Sequence, residues 1–270
     1  MVVETAEHPL QAFRIAGVPP DFYYIPNFIS PEEETSILQK IPAQRWVNLS
    51  HRRLQAHPST LTKSNTLLAS PLPAYLVNPV IPRFEDLGIF EHTLHQQPNH
   101  VLINEYKPGE GIMPHEDGKA YASVVATVSL GGSVCLSLTS KSRPEETVGE
   151  GNEQWDDKWK VPTRIMQEPR SLLITTGPAY ESLLHGVDAV EVDEGLNADT
   201  VANWSLLGDR SVVETAEGRN SIEAETPSIS RMGYAIENAK DDKLSRHSDA
   251  VSSSSAPGAD LLSQQIWDLR

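Results

Sequence analysis

The sequence predicts a mainly β fold, a β-sandwich or jelly roll, with supporting helices at its N-terminal end. Short apolar runs follow one another from residue 101 onward, glycine or Gly-Pro turns separate them, and the helix signals are concentrated before residue 90. Residues 1 to about 20 form a polar, proline-ended lead-in. Phe22-Tyr23-Tyr24-Ile25 is a short β-type run. At Ser30-Pro31-Glu32-Glu33-Glu34 a helix should start, because serine can cap it, proline suits the first helical position and the acids suit the dipole. Ile37, Leu38 and Ile41 give that helix an apolar face before Pro42 stops it. A proline-rich stretch follows, with a second helix expected near 73–88.

From Val101 the pattern turns to β. Val124 to Leu130 and Val134 to Leu138 flank Gly131-Gly132, which reads as a hairpin. Residues 140–160 are charged and read as an inserted surface loop, acidic from Glu145 to Asp157. Ser171 to Thr175 is a buried-strand candidate stopped by Gly177-Pro178, and Leu183 to Val192 is another. The polar context of Ser252 to Ser255 reads as a disordered tail.

Composition bounds the function classes. Hydrophobic content of 39% over 270 residues suits disordered ends around a real core. No apolar run approaches a membrane span and the start lacks a signal-peptide pattern, so no membrane partner is expected. The single cysteine, Cys135, suits a reducing compartment and reads as a small buried residue, which gives a soluble, intracellular expectation. A net charge of −15 argues against nucleic-acid binding by the whole surface. The charge is uneven, however: Thr35 to Phe84 contains no acid, while Lys40, Arg45, Arg52, Arg53, Lys63 and Arg83 all fall there. That segment reads either as a polyanion-facing rim or as scattered solvated cations.

The most informative stretch runs from Asn104 to Asp117, read together with Leu184-His185-Gly186. His115 and Asp117 are two apart, so in extended chain their side chains leave the same face. With His185 they make two imidazoles and one carboxylate, the facial triad that leaves open positions on a non-haem Fe(II). His92 and His95, three apart, could share a helix face, but a solvated pair is the simpler reading. Trp46 with Arg52 and Arg53 could line a base-binding lid, since aromatic and guanidinium planes stack on bases; equally, Trp46 could pack on the core.

Asn104-x-Tyr106, Pro108-Gly109-Glu110-Gly111-Ile112, Pro114-His115-x-Asp117-Gly118, Pro169-Arg170-Ser171-Leu172-Leu173, Gly177-Pro178-Ala179-Tyr180 and Leu183-Leu184-His185-Gly186 resemble the AlkB family of 2-oxoglutarate/Fe(II) dioxygenases. The wording is that of its eukaryotic homologue-six branch, and the resemblance runs from roughly Tyr23 to Val192. It implies a double-stranded β-helix with N-terminal helices over one sheet. It also implies Fe(2+) held by His115, Asp117 and His185, and 2-oxoglutarate bound by Asn104 and Tyr106. The implied reaction is oxidative demethylation, in which dioxygen and 2-oxoglutarate hydroxylate an N-methyl group that then leaves as formaldehyde. The resemblance further implies a nucleic-acid substrate, which the basic 35–84 segment could meet, in a monomer of the nucleus or cytoplasm.

One part of the family pattern is broken. An Arg-x-Ser-x-Thr-x-Arg strand should anchor the far carboxylate of 2-oxoglutarate. Arg219-x-Ser221 matches its front half, but Glu223 and Glu225 follow; Ser228-x-Ser230-Arg231 matches the back half, displaced by one residue. A one-residue slip turns a side chain to the opposite face, and Pro227 suits a central strand poorly. Either Arg231 serves after a local bulge, or the C-terminal end is a replacement; the sequence favours the second. Two alternatives stay open: a protein hydroxylase of the same iron class, and a cupin-like metal-binding protein without turnover. The absence of Lys or Arg in Asp193-Glu194-Gly195-Leu196 counts against the first. The expected organisation is a lead-in (1–20), a helical and substrate-lid region (21–95), a dioxygenase core (96–232) with the acidic insert (140–160), and a Ser-rich tail (233–270).

Overall fold

The computed structural model describes residues 8–58, 70–118, 121–141, 159–213, 222–223 and 229–237. The acidic insert lies almost wholly outside them, as do Lys63, Arg219 and the serine run. Ser30 caps α1 (Pro31–Lys40) in a full capping box: its hydroxyl accepts from the Glu33 N–H and the Glu33 carboxylate from the Ser30 N–H. The helix expected near 73–88 is two short ones, α2 (Ala74–Val77) and α3 (Val80–Asp86), broken at Asn78-Pro79.

Two antiparallel sheets face each other. The larger takes the order β1 (Phe22–Ile25), β9 (Leu172–Thr176), β6 (Tyr121–Leu130), β13 (Ile229–Glu237), β4 (His100–Tyr106), β3 (Arg53–His57) and β2 (Val47–Asn48). The smaller takes β5 (Ile112–His115), β10 (Leu183–Val187), β7 (Val134–Ser140) and β8 (Thr163–Gln167), and β11 (Val192–Asp193) pairs apart from both with β12 (Ile222–Glu223). This is the expected jelly roll with helices over one sheet. Strands β1 and β3, from before residue 96, lie in the same sheet as later strands.

The interior has two layers. Between the sheets Tyr106, Ile112, Leu136, Leu138, Ile165, Leu173, Leu183 and Val187 pack together. Behind the larger sheet Val101, Ile103, Val128, Met232, Tyr234 and Ile236 meet Ile37, Leu76, Val80 and Phe84 from the helices. Tyr234 is the centre of that second layer: its ring stands edge-on to Phe84 at 5.1 Å and its hydroxyl donates to Leu76 O at 3.0 Å.

Three expectations need correcting. Gly131-Gly132 does not close a hairpin, because β6 and β7 lie in different sheets. Both strands are apolar enough to be buried, so the local pattern could not show which partners they take. The turn is fixed from outside by buried Glu34 of α1, whose carboxylate accepts from Gly131 N–H at 2.9 Å and pairs with Arg170 at 3.0 Å. The tail does not begin at residue 233: β13 continues to Glu237, because Met232, Tyr234 and Ile236 alternate into the core. The lead-in is also tied down, with Leu10, Ile15 and Val18 buried and Arg14 bridged to Tyr23.

His57 and His100 are buried at one end of β3 and β4. Burial pushes each imidazole down to about 4, and the nearby Arg45 charge adds to the effect at His57. The unfolded chain takes up these protons near pH 6.5, so the stability of the neutral, folded form is complete above 6.5 and is lost as pH falls toward 4. The limiting slope is roughly 1.4 kcal/mol per pH unit for each such group. His100→Gln should therefore lower the dependence of the urea midpoint on pH between 7 and 5. Parallel midpoint-against-pH lines for the two proteins would show that His100 titrates alike in both states.

Candidate metal and cosubstrate site

The turn Pro108 to Gly111 leads into β5, with Gly109 at φ +77°. The Gly111 N–H donates to His51 O at 3.1 Å, which fastens this turn to the chain entering β3. β5 then runs antiparallel to β10 with His115 opposite His185. The strands can approach this closely because of two glycines. A Cβ on Gly111 would stand 2.3 Å from Val187 O, and one on Gly186 would stand 2.8 Å from Ile112 O and 2.9 Å from Pro114 N. Both glycines belong to the motifs singled out in the sequence.

This pairing brings the predicted triad together. The imidazole rings of His115 and His185 have centroids 4.5 Å apart, and Asp117 Oδ1 lies 3.7 Å from His185 Nε2. One ligand atom from each of the three falls within 4.8 Å of the others, the one such His/Cys/Asp/Glu group among the described residues. His115 Nδ1–H donates to Met113 O at 2.9 Å, which fixes the tautomer and leaves Nε2 with its lone pair. Burial lowers the pKa of His115 and takes His185 down to about 4, against the opposing pull of the Asp117 charge. Both rings are therefore neutral at pH 7, the form a metal requires. Donor set, geometry and protonation all fit Fe(2+).

Asn104 and Tyr106 lie on β4 and share its inner face, as their spacing implied; Tyr106 is buried between the sheets, while Ile103 faces the helices. Arg231 is opposite Asn104 in β13 and opposite Ser129 in β6. Its charge acts on Tyr106, Asp117, His115 and His185. No bulge is needed to bring it there. The pairing of β13 with β4 is regular from Ile229 to Ala235, and Met232, Tyr234 and Ile236 turned to the helices leave Arg231 on the inner face. The apparent slip came from counting along the family's spacing, whereas the face is set by which residues are apolar. The preference for a replaced end lacking an anchor is thus overturned, and the alternative of a protein without turnover loses its support. Arg231 is half-buried, yet its Nε is enclosed and has no hydrogen-bond partner. An enclosed guanidinium N–H without an acceptor fits the carboxylate of an oxo acid.

Residues 21–203 match the family described as the 2OG-Fe(II) oxygenase superfamily. The chain belongs to that superfamily. Among its relatives, a Danio rerio protein named "Probable RNA/DNA demethylase ALKBH6" is 36% identical over 74% of this chain and 82% of its own. Protein L905 of Acanthamoeba polyphaga mimivirus is 31% identical over 64% of this chain and 75% of its own. A Xenopus tropicalis protein named "tRNA (carboxymethyluridine(34)-5-O)-methyltransferase alkbh8" is 26% identical over 70% of this chain but 29% of its own. As a 2OG-Fe(II) oxygenase of the AlkB type, the chain uses Fe(2+), 2-oxoglutarate and dioxygen.

Elsewhere the oxygenase departs from expectation. Arg52, a surface cation on either reading of the sequence, is 5% exposed and donates through Nε–H to Asn104 Oδ1 at 3.1 Å. Arg53 remains at the surface but is paired through both arms of its guanidinium with Glu105 and stacked on Trp46 at 4.5 Å. Arg83 likewise pairs with Glu33. Two of the segment's six cations are thus paired with acids outside it, while Lys40 and Arg45 stay exposed. His92 and His95 agree with the simpler reading of a solvated pair: both are exposed, in turns, with His92 beside Glu91. Among the described residues no helix is long and apolar enough to cross a membrane.

Alanine at His115, Asp117 or His185 should each remove stoichiometric Fe(II) binding while leaving the circular-dichroism spectrum largely unchanged. Gly186→Ala should do so as well, because the added Cβ drives β5 from β10. Wild-type iron affinity in Gly186→Ala would show that the two strands need no such contact.

Proposed function

We propose that this oxygenase demethylates an N-methylated nucleic acid, with iron on His115, Asp117 and His185 and 2-oxoglutarate on Asn104, Tyr106 and Arg231. The observation that carries the assignment is the clustering of His115 on β5, Asp117 just beyond it and His185 on β10, on the same inner side as the unpartnered Arg231 Nε. The substrate class draws support from relatives named for RNA, DNA and tRNA chemistry. When bound, iron and 2-oxoglutarate supply oxidation of a C–H bond by dioxygen, with succinate and carbon dioxide as coproducts.

The protein's own residues have narrower tasks. Neutral His115 and His185 offer lone pairs, and Asp117 offers one negative charge. Arg231 matches the cosubstrate's charge in an enclosed place, where a charge-assisted hydrogen bond contributes about 1.5–3 kcal/mol. Oxidation of an N–CH3 group gives N–CH2OH, which collapses to N–H and formaldehyde. The base must be flipped or single-stranded for its methyl group to reach the triad. With Arg52 inside, the segment offers the half-buried stack of Trp46 and Arg53, which also packs on the core through Trp46, beside exposed Lys40 and Arg45; the stack suits a base face and the two cations a phosphate.

Incubation with Fe(II), 2-oxoglutarate and single-stranded oligonucleotides carrying N-methylated bases should release formaldehyde and demethylate the oligonucleotide. Turnover of 2-oxoglutarate with hydroxylated peptides and untouched oligonucleotides would favour the protein-hydroxylase alternative instead. Arg231→Ala should keep iron binding and raise the 2-oxoglutarate dissociation constant by about ten- to a hundredfold, the loss of one charge-assisted bond. Titration followed by the metal-to-ligand absorption band measures this, and an unchanged constant would remove Arg231 from the site.

A further inference from the structure

Arg52 and Arg53 are adjacent cations with opposite fates. Arg53 is half-buried at the surface, stacked and paired with Glu105, whereas Arg52 is buried against the inner face. The backbone dictates this: Leu49 N–H donates to Arg52 O at 2.8 Å, and His51 O holds Gly111 N–H, so the segment 49–52 is clamped to the turn before β5. Two residues on, Leu54 pairs with Asn104 across β3 and β4. Asn104 thus lies between Leu54 of β3 and Arg231 of β13.

A buried guanidinium is costly unless it is paired with an anion. Among the described residues no carboxylate pairs with Arg52; its hydrogen bond is to a neutral amide, Asn104 Oδ1. That bond carries information. A guanidinium has donors and no acceptor, so the amide atom facing it must be the oxygen, and the NH2 of Asn104 is left as a donor for something else. Without Arg52 the amide could rotate by half a turn and offer its oxygen, which would repel a carboxylate.

We infer that Arg52 is a positioning residue of the cosubstrate pocket: its bond to Asn104 Oδ1 fixes the amide so that its NH2 is presented to 2-oxoglutarate. This rests on the reading of Asn104 as a cosubstrate contact. The signal available in sequence was charge alone, which put Arg52 with Arg53 on the surface.

The test is a double-mutant cycle on the full chain loaded with Mn(II), a metal that allows binding to be measured without turnover. Titration calorimetry with 2-oxoglutarate should give a dissociation constant about tenfold higher for Arg52→Met and for Asn104→Ala, one hydrogen bond to a charged group each. The double variant should be no weaker than the weaker single one, because residues acting through one contact are not additive. Arg52→Lys keeps charge and bulk but lacks the Nε–H, and should be as weak as Arg52→Met; it also runs the cycle if Arg52→Met fails to fold. Unchanged Mn(II) affinity in each variant shows that the triad is intact. Additive losses, or wild-type affinity in Arg52→Lys, would overturn the inference. Wild-type protein that holds Mn(II) but not 2-oxoglutarate would overturn the cosubstrate reading itself, and this inference with it.

Discussion

At Gly111 and Gly186 main-chain atoms of neighbouring strands occupy the space where a side chain would begin, with hypothetical Cβ atoms 2.3 Å from Val187 O and 2.8 Å from Ile112 O. That approach sets His115 opposite His185 and puts Asp117 beyond the end of β5, within reach of both. Metal–ligand distances tolerate only about 0.2 Å. A core of packed side chains can absorb a larger shift by repacking. Metal affinity is therefore more sensitive to this contact than the fold is, and the glycines are bound to the site's chemistry more than to its stability.

The same economy governs charge. The chain carries a net charge of −15, yet the inner face near the triad holds two guanidinium groups, Arg52 and Arg231, and one carboxylate, Asp117. Meanwhile two of the cations that looked available outside are drawn into pairs, Arg53 with Glu105 and Arg83 with Glu33. The potential at the site is decided by which few cations the strands turn inward, and the sum over the sequence says little about it.

Much of this was legible in the residues. The triad, the Asn104–Tyr106 alternation and the capped helix each depend on neighbours within a few positions, where period and capping rules apply. What was not legible depends on pairing across the fold. Gly131-Gly132 looked like a hairpin because nothing local says that β6 and β7 take different partners. Arg231 looked misplaced against the family's spacing; the burial of Met232, Tyr234 and Ile236 decides its face. Arg52 looked like surface because its neighbour Asn104 lies 52 positions away along the chain.

Among the described residues β5 has a strand on one side and none on the other, and Pro114 removes one of its backbone donors. Such an edge is where a sheet opens first. Yet this strand carries His115, and Asp117 follows just beyond it, while the third ligand stands on the inner neighbour β10. A metal bridging these side chains therefore rivets the sheet's loose margin to its interior. Occupancy and local rigidity would become one variable: loss of an ion would free the margin to fray, and fraying would let an ion escape. The residence time of a bound metal would then depend on how often the outermost strand opens, a property of the sheet as much as of the ligands.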